Sequence, residues 1–261
     1  MRKCVFVALA ALATAAFADI TGSVTTEQGD THKGTVRWSV RDKAYAITTK
    51  GGIEIQVKPS EVAEMDIEKP AGYDEAVAKV ESGQGKAAVA VLQKIVQEYA
   101  HMQWDKTAGG YLARAYIAAG DAAKGLKACE DVIATDPTAA FKGELAPAYW
   151  DALLAMGRSA KLESSLEKAA KSGDRYSVGA ALIKRGDIIL KTKGEGGDAM
   201  RQALTDGYLR VVLLYRDVPK LQPEALWKAA KCFDTLGQAG RADAMRSQLK
   251  QGFADSPWAS K

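Results

Sequence analysis

Five glycines recur at nearly constant distances, and this spacing constrains the fold more than any other feature of the chain. Gly83, Gly120, Gly157 and Gly194 are each 37 residues apart, and Gly237 follows after 43. The segments between them have an apolar period of 3.6 residues, which is typical of amphipathic helices. Because one helical hairpin cannot bury both of its faces alone, this pattern predicts stacked helix–turn–helix units over residues 70–261.

Residues at equal positions of successive units are alike, which supports the repeat. In the second helices, one column is apolar and a neighbouring column consists mostly of small residues that allow close helix packing. The first column contains Leu92, Cys129, Leu166 and Ala203. The second contains Ala88, Gly125, Leu162 and Ala199.

Residues 106–137 form the clearest unit, with Tyr116 in the first helix, Gly120-Asp121 at the turn, Gly125 early in the second helix and Pro137 after it. This unit resembles the tetratricopeptide repeat (TPR). The ending of residues 253–259, FADSPWA, is similar to the ending of such units in exported bacterial proteins. The resemblance covers residues 70–261 and implies a right-handed superhelix of about ten helices, in five hairpins.

A different pattern occupies residues 19–69, where apolar residues recur with a period of two. Val36, Trp38 and Val40 alternate with polar residues, and Ile53, Ile55 and Val57 do the same. We expect four or five short strands, with a helical turn at residues 58–61 before the last. Their arrangement resembles an SH3-like or Sm-like small β-barrel. The expected fold class is therefore α+β in separate domains, with a β-barrel followed by an all-α solenoid.

The first 18 residues read as a secretory signal peptide. Arg2 and Lys3 precede an apolar run, and Ala16-Phe17-Ala18 matches a signal peptidase site. Cys4 precedes the run, where a lipid-bearing cysteine would follow it, so we do not expect lipidation. The prediction is an exported protein, periplasmic or extracellular, with a mature chain from Asp19 and no membrane segment after cleavage. The alternative is an uncleaved N-terminal anchor.

Charge excludes some classes of partner. The chain has 36 basic and 32 acidic residues, and removal of residues 1–18 would leave 34 against 32. A nearly neutral chain gives no electrostatic reason to bind nucleic acid. We therefore predict no nucleic-acid partner.

Residues with catalytic or metal-binding potential are few. Cys129 and Cys232 lie on apolar helical stripes without a flanking histidine, so we expect buried, unpaired thiols. His101 lies in the link between two repeats and His32 in an expected polar loop, each without a second ligand nearby. The sequence has no zinc, nucleophile-elbow or phosphate-loop motif. We predict no enzymatic activity, no catalytic or metal-binding residues and no cofactor.

The TPR resemblance implies that first-helix side chains line an inner wall where a partner binds. Counting back from each turn glycine gives the expected partner-binding residues: Arg114, Asp151, Lys184, Lys191, Trp227 and Lys231. The basic members predict a cationic wall suited to an acidic or C-terminal peptide. The lysine–asparagine clamp for a terminal carboxylate, which some family members have, is not supported because the chain contains no asparagine. Ordinary solvated lysines remain the alternative.

Three functions remain open from the sequence. We favour an exported, non-enzymatic scaffold that binds a protein or peptide partner in the cell envelope through the solenoid, with the β-module as a second contact. The second is a cell-wall or glycan-binding module that uses Trp38 and Tyr45, with the repeats as a spacer; these rings could equally belong to the core. The third is an envelope hydrolase with an unfamiliar site.

Overall fold

The computed structural model describes residues 20–261, and the expected signal peptide lies outside this range. The chain divides into two compact units, the first ending at Glu68 and the second running Lys69–Lys261. Within residues 20–261, no helix has the length and apolar character needed to cross a membrane.

The first unit is a five-stranded antiparallel sheet. Its strands are β1 (Thr21–Thr26), β2 (Thr31–Ser39), β3 (Ala44–Thr48), β4 (Glu54–Val57) and β5 (Val62–Ile67). A 3-10 turn at Pro59–Glu61 precedes β5, as the sequence predicts. The hydrogen-bonded order is β4-β3-β2-β1-β5, so β4 and β5 are the outer strands. A closed barrel requires pairing between these two, and the ladders of the described strands do not include it.

The alternating residues form the core of the sheet, with two clear exceptions. Val36 and Ile47 are buried, as expected from the period of two. Val40 and Ile53 are instead 79% and 65% exposed. Each lies just beyond the end of a strand, and Ser39 begins the turn that contains Val40 by donating to Asp42 at 2.6 Å.

Two further positions of the sheet unit bear on the sequence analysis. His32 lies within β2 opposite Val24, not in a loop, because the preceding turn ends at Asp30. Trp38 and Tyr45 face each other across β2 and β3 with ring centroids 5.1 Å apart. Tyr45 is buried in the sheet core. This burial favours the core interpretation of the pair over a glycan-stacking surface.

The second unit consists of five successive helical hairpins. We number the hairpins one to five. Their helices are α1 (Tyr73–Glu81), α2 (Val89–Glu98), α3 (Trp104–Ala118), α4 (Ala122–Ile133), α5 (Leu145–Ala155), α6 (Ser159–Lys171), α7 (Arg175–Lys193), α8 (Gly197–Ala203), α9 (Leu209–Leu214), α10 (Gln222–Thr235) and α11 (Ala239–Gly252). A π turn at Leu204–Tyr208 joins α8 to α9, so these two serve as the second helix of hairpin four. About ten helices in five hairpins were expected, and the described residues form ten when α8 and α9 are counted as one.

The repeated glycines end the first helix of each hairpin. All five have positive φ, between 65° and 83°. In hairpin two, the Gly120 amide donates to Ile117 and the Asp121 amide donates to Tyr116, which is the Schellman pattern of helix termination. Hairpins one, three and five repeat this pattern at Gly83, Gly157 and Gly237. The regular spacing therefore reflects a backbone conformation that glycine adopts at low cost.

The core of the helical unit lies between the two helices of each hairpin and between hairpins. Both columns identified in the second helices are buried. Trp150 is a large core side chain whose indole N–H donates to Ser165 Oγ at 2.8 Å and to the Ala140 carbonyl at 3.1 Å. Because its one polar atom is satisfied, Trp150 can be buried completely.

Candidate functional site

The first helices of the hairpins line a cavity of about 490 Å³. A single column of residues at 37-residue intervals contributes to its wall from end to end. This column contains Tyr73, Gly110, Pro147, Lys184, Leu221 and Trp258. Since equal repeat positions face the same side of a stacked array, the period that builds the fold also builds the cavity.

One arginine in the cavity wall makes no salt bridge with a described residue. Arg114, on α3, is half-buried and has no carboxylate of the described residues within ion-pair distance. Its guanidinium lies 5.4 Å from the centroid of the Tyr111 ring, a cation–π distance. Tyr73 and Tyr176 also line the cavity, and the Tyr73 and Tyr111 ring centroids are 6.2 Å apart. An anionic group in the cavity would thus meet an arginine backed by aromatic rings.

A network of ion pairs forms another part of the wall. The Lys184 ammonium pairs with Asp151 and, at 3.0 Å, with Asp187. Lys228 pairs with Asp187 at 2.7 Å and with Glu224 at 2.6 Å. The network joins α5, α7 and α10, so it connects hairpins three, four and five.

Burial and ion pairing shift the pKa values of these groups in opposite directions. Burial disfavours the charged form of Lys184, but the carboxylates of Asp151 and Asp187 outweigh it and raise the lysine's pKa. Burial likewise raises the pKa of Asp187, and the ammonium groups of Lys184 and Lys228 reverse this and lower it. Tyr208 donates a hydrogen bond to Asp187 at 2.9 Å, which adds to the stabilisation of the carboxylate. Lys184 and Asp187 are therefore both charged over the neutral pH range.

The expectation of a cationic wall is wrong. Lys184 is compensated by two carboxylates and its side chain is 8% exposed, so it offers no free positive charge. Four basic and four acidic residues line the cavity. Counting lysines alone could not reveal this, because it leaves out the compensating carboxylates, which are Asp187 one turn along α7 and Asp151 on α5 of the preceding hairpin.

The structure brings together only some of the predicted partner-binding residues. Arg114, Asp151 and Lys184 line the cavity. Lys191 lies in a shallower depression beside Arg114, where its ammonium donates to the Leu154 carbonyl at 2.7 Å. Trp227 and Lys231 are not in the cavity lining, and Trp227 packs against Trp258 instead.

Sequence reasoning missed the aromatic and acidic part of the cavity. Tyr73, Tyr111, Tyr176, Glu224 and Trp258 all line it. Tyr73 and Trp258 could have been found by extending the 37-residue column to both ends of the helical unit. Positions in this column line the cavity whatever residue type occupies them. Tyr111, Tyr176 and Glu224 lie on helices whose phase relative to the cavity is set by packing.

The two cysteines of the described residues lie in the core of the helical unit. Cys129 and Cys232 are buried and unpaired, as predicted. Burial raises the pKa of Cys129 to about 12 and that of Cys232 to about 11. No group of three or more histidine, cysteine or acidic side chains within residues 20–261 could hold a metal ion. The cavity wall consists of charged, aromatic and apolar side chains.

Comparison with known proteins gives a likeness in fold only. The chain matches no protein-family profile and no curated protein sequence. It is similar to the crystal structure of a kinesin light chain protein with nearly identical TPR-like repeats from Podosopora anserina, at 18% identity and a TM-score of 0.40. The similarity covers 71% of this chain and 94% of that one. A single-residue variant of the same protein gives 18% identity and a TM-score of 0.40, over 70% and 94% of the two chains.

Proposed function

We propose that the helical unit is a non-enzymatic scaffold that binds an acidic segment of a protein partner in the cavity lined by Arg114. The observation that carries this proposal is that Arg114, half-buried in the cavity wall, makes no ion pair with a described residue, whereas the buried Lys184 of the same wall has two carboxylate partners. A guanidinium shielded from water binds a carboxylate more strongly than an exposed lysine does, and it can do so with two parallel hydrogen bonds. The acidic group is thus the part of the partner that fixes its position.

The rest of the cavity suits a polypeptide. Its volume is within the usual range of about 300–1,000 Å³ for ligand sites. Tyr73, Tyr111 and Tyr176 offer flat apolar faces with polar ends, which can contact side chains and backbone groups together. The balanced charges around them disfavour a uniformly acidic ligand. We therefore expect one or two acidic residues within a mixed sequence.

Selection of peptides on the full chain tests this proposal. A displayed peptide library is panned on immobilised protein, and the selected peptides are measured by fluorescence anisotropy. We expect selected sequences to share an acidic residue, and Arg114→Gln to weaken their binding by at least about tenfold because a charge-assisted hydrogen bond is lost. Arg158→Gln, at an exposed arginine before α6, is the matched control and leaves binding unchanged.

Two results would contradict it. If the selected peptides lack acidic residues, Arg114 does not bind an acidic group of the partner. Equal affinities for Arg114→Gln and Arg158→Gln, with circular dichroism showing both folded, would place the binding surface elsewhere.

We further propose that the scaffold acts outside the cytosol, in the cell envelope, on the strength of residues 1–18. Production of the 261-residue chain in a bacterial host should give a mature product that begins at Asp19, as measured by intact mass. Ala18→Lys should block cleavage, because the peptidase requires a small residue there. An unprocessed product retained in the cytosol would overturn this part of the proposal and leave the peptide site untouched.

A further inference from the structure

Two tryptophans from distant parts of the chain meet beside the cavity. Trp227 lies on α10, and Trp258 lies in the segment after α11. Their ring centroids are 5.1 Å apart and their planes are inclined by 52°. Both rings are half-buried. Two inclined faces of this kind form an aromatic corner that is open on one side.

Two lysine ammonium groups already lie against these rings. The Lys261 ammonium is 3.7 Å from the centroid of Trp258 and 5.5 Å from that of Trp227. The Lys231 ammonium is 4.9 Å from the Trp227 centroid. Neither lysine is ion-paired with a carboxylate of the part of the chain that the structure describes. The rings, and not acidic groups, are therefore what these cations contact.

We propose that Trp227 and Trp258 form a binding subsite for an organic cation, and that Lys261 occupies this subsite from within the chain. The ligand class is a lysine or arginine side chain or a quaternary ammonium group, since tryptophan faces attract such cations most strongly among the aromatic side chains. Trp258 is also part of the cavity wall, so a ligand bound here adjoins the cavity.

Lys261 is an occupant that an external cation can replace. The segment that carries it is a series of turns, held by backbone bonds such as those from Ser256 to Phe253 and from Ala259 to Ser256. The Lys261 side chain itself is exposed. An internal ligand on a short tether competes at an effective concentration in the millimolar range, which masks a weak external ligand without excluding it. The inference is distinct from the peptide site at Arg114 because it concerns a ligand of the opposite charge bound by Trp227 and Trp258, although Trp258 and Lys261 also line the cavity.

Indole N–H signals in NMR spectra of the full chain provide the test. The chain has five tryptophans, and a Trp→Phe change at each assigns its signal. Tetramethylammonium chloride is titrated into the protein against sodium chloride at equal ionic strength. We expect the Trp227 and Trp258 signals to shift saturably, while those of Trp38, Trp104 and Trp150 stay in place.

Lys261→Ala tests whether Lys261 occupies the subsite. Removal of the internal competitor should lower the apparent dissociation constant for tetramethylammonium about three- to tenfold. Lys250→Ala, at an exposed lysine near the end of α11, removes the same charge and should leave the constant unchanged. A double change of Lys231 and Lys261 to alanine should bind tightest.

Three outcomes would overturn the inference. The first is equal dissociation constants for Lys261→Ala and Lys250→Ala. The second is a shift of all five indole signals together, which indicates a general salt effect. The third is the absence of a saturable shift in the double variant while its spectrum remains that of a folded protein.

Discussion

Lys184 occupies the position where hairpins three and four meet, and its ammonium is held by Asp151 and Asp187. Asp187 in turn accepts Lys228 and Tyr208. Charges buried in this way stabilise the fold only while every member has its partner. At the scale of single residues, the network is therefore a structural element of the cavity wall, whereas Arg114 makes no ion pair with a described residue and is the residue to which we assign ligand binding in the proposed function.

Removal of Lys184 should destabilise the protein. We expect Lys184→Met to lower the free energy of unfolding by about 3 kcal/mol, because Asp151 and Asp187 lose a buried partner. Lys250→Met, at an exposed site, should change it by less than about 0.5 kcal/mol. Urea unfolding followed by circular dichroism measures both. Equal effects for the two variants would show that the buried pairs contribute nothing specific.

The lowered pKa of Asp187 predicts a dependence of stability on pH. Its folded pKa lies below the unfolded value of about 3.9, so its contribution is present above the unfolded pKa and lost as the pH falls through the folded pKa. Asp187→Asn should therefore be less stable than the parent at pH 7. The difference in melting temperature should shrink as the pH is lowered from about 5 towards 2. A difference that is constant over this range would contradict the assignment.

At the scale of elements, each hairpin depends on the residue that ends its first helix. The left-handed backbone at Gly120 and its equivalents lets the chain reverse while two carbonyl groups at the helix end are satisfied. Hairpin four departs from this pattern. Its turn glycine, Gly194, has an extended ψ, and a π turn interrupts its second helix.

Two glycine substitutions should have opposite effects. Gly120→Ala should cost about 1–2 kcal/mol, because alanine disfavours a φ of 83°. Gly240→Ala should be neutral or stabilising by up to about 1 kcal/mol, because this glycine lies inside α11, has no positive φ and faces open space. Thermal unfolding of the two variants measures the contrast. A loss of stability from Gly240→Ala as large as that from Gly120→Ala would contradict the role of the turn conformation.

At the scale of the whole molecule, the two thiols of the described chain report on the integrity of the helical unit. Cys129 belongs to hairpin two and Cys232 to hairpin five, so they probe distant parts of the same array. Both are buried, and their pKa values of about 12 and 11 leave little thiolate at neutral pH. Their reaction with a thiol reagent should therefore require opening of the fold.

Thiol labelling measures how well the fold protects Cys129 and Cys232. In native buffer at neutral pH, both cysteines should react far more slowly than a free thiol, and in denaturant they should react at once. The chain contains three cysteines, and the third, Cys4, lies in residues 1–18. The denatured count should thus be two after signal cleavage and three before it. Rapid labelling of the native protein would show that hairpins two or five open readily.

The sequence by itself determined the parts of this protein that depend on local chemistry. Turn glycines, the 37-residue period and the buried columns follow from backbone conformation and helical periodicity, so they can be read without coordinates. The strands of the first unit could be predicted for the same reason. The errors there, at Val40, Ile53 and His32, occurred at strand ends, where a side chain or turn decides which residue is last.

Only the tertiary structure decided which basic side chains are ion-paired and which aromatic rings are in contact. Lys184 and Arg114 both appear as inner-wall cations in the sequence, yet one is paired across two hairpins and the other faces a cavity. Trp227 and Trp258 are 31 residues apart, and their contact depends on how the last segment folds back on α10. Coulomb interactions and ring contacts act over a few ångströms, and such distances between separate helices are set by packing of the whole array.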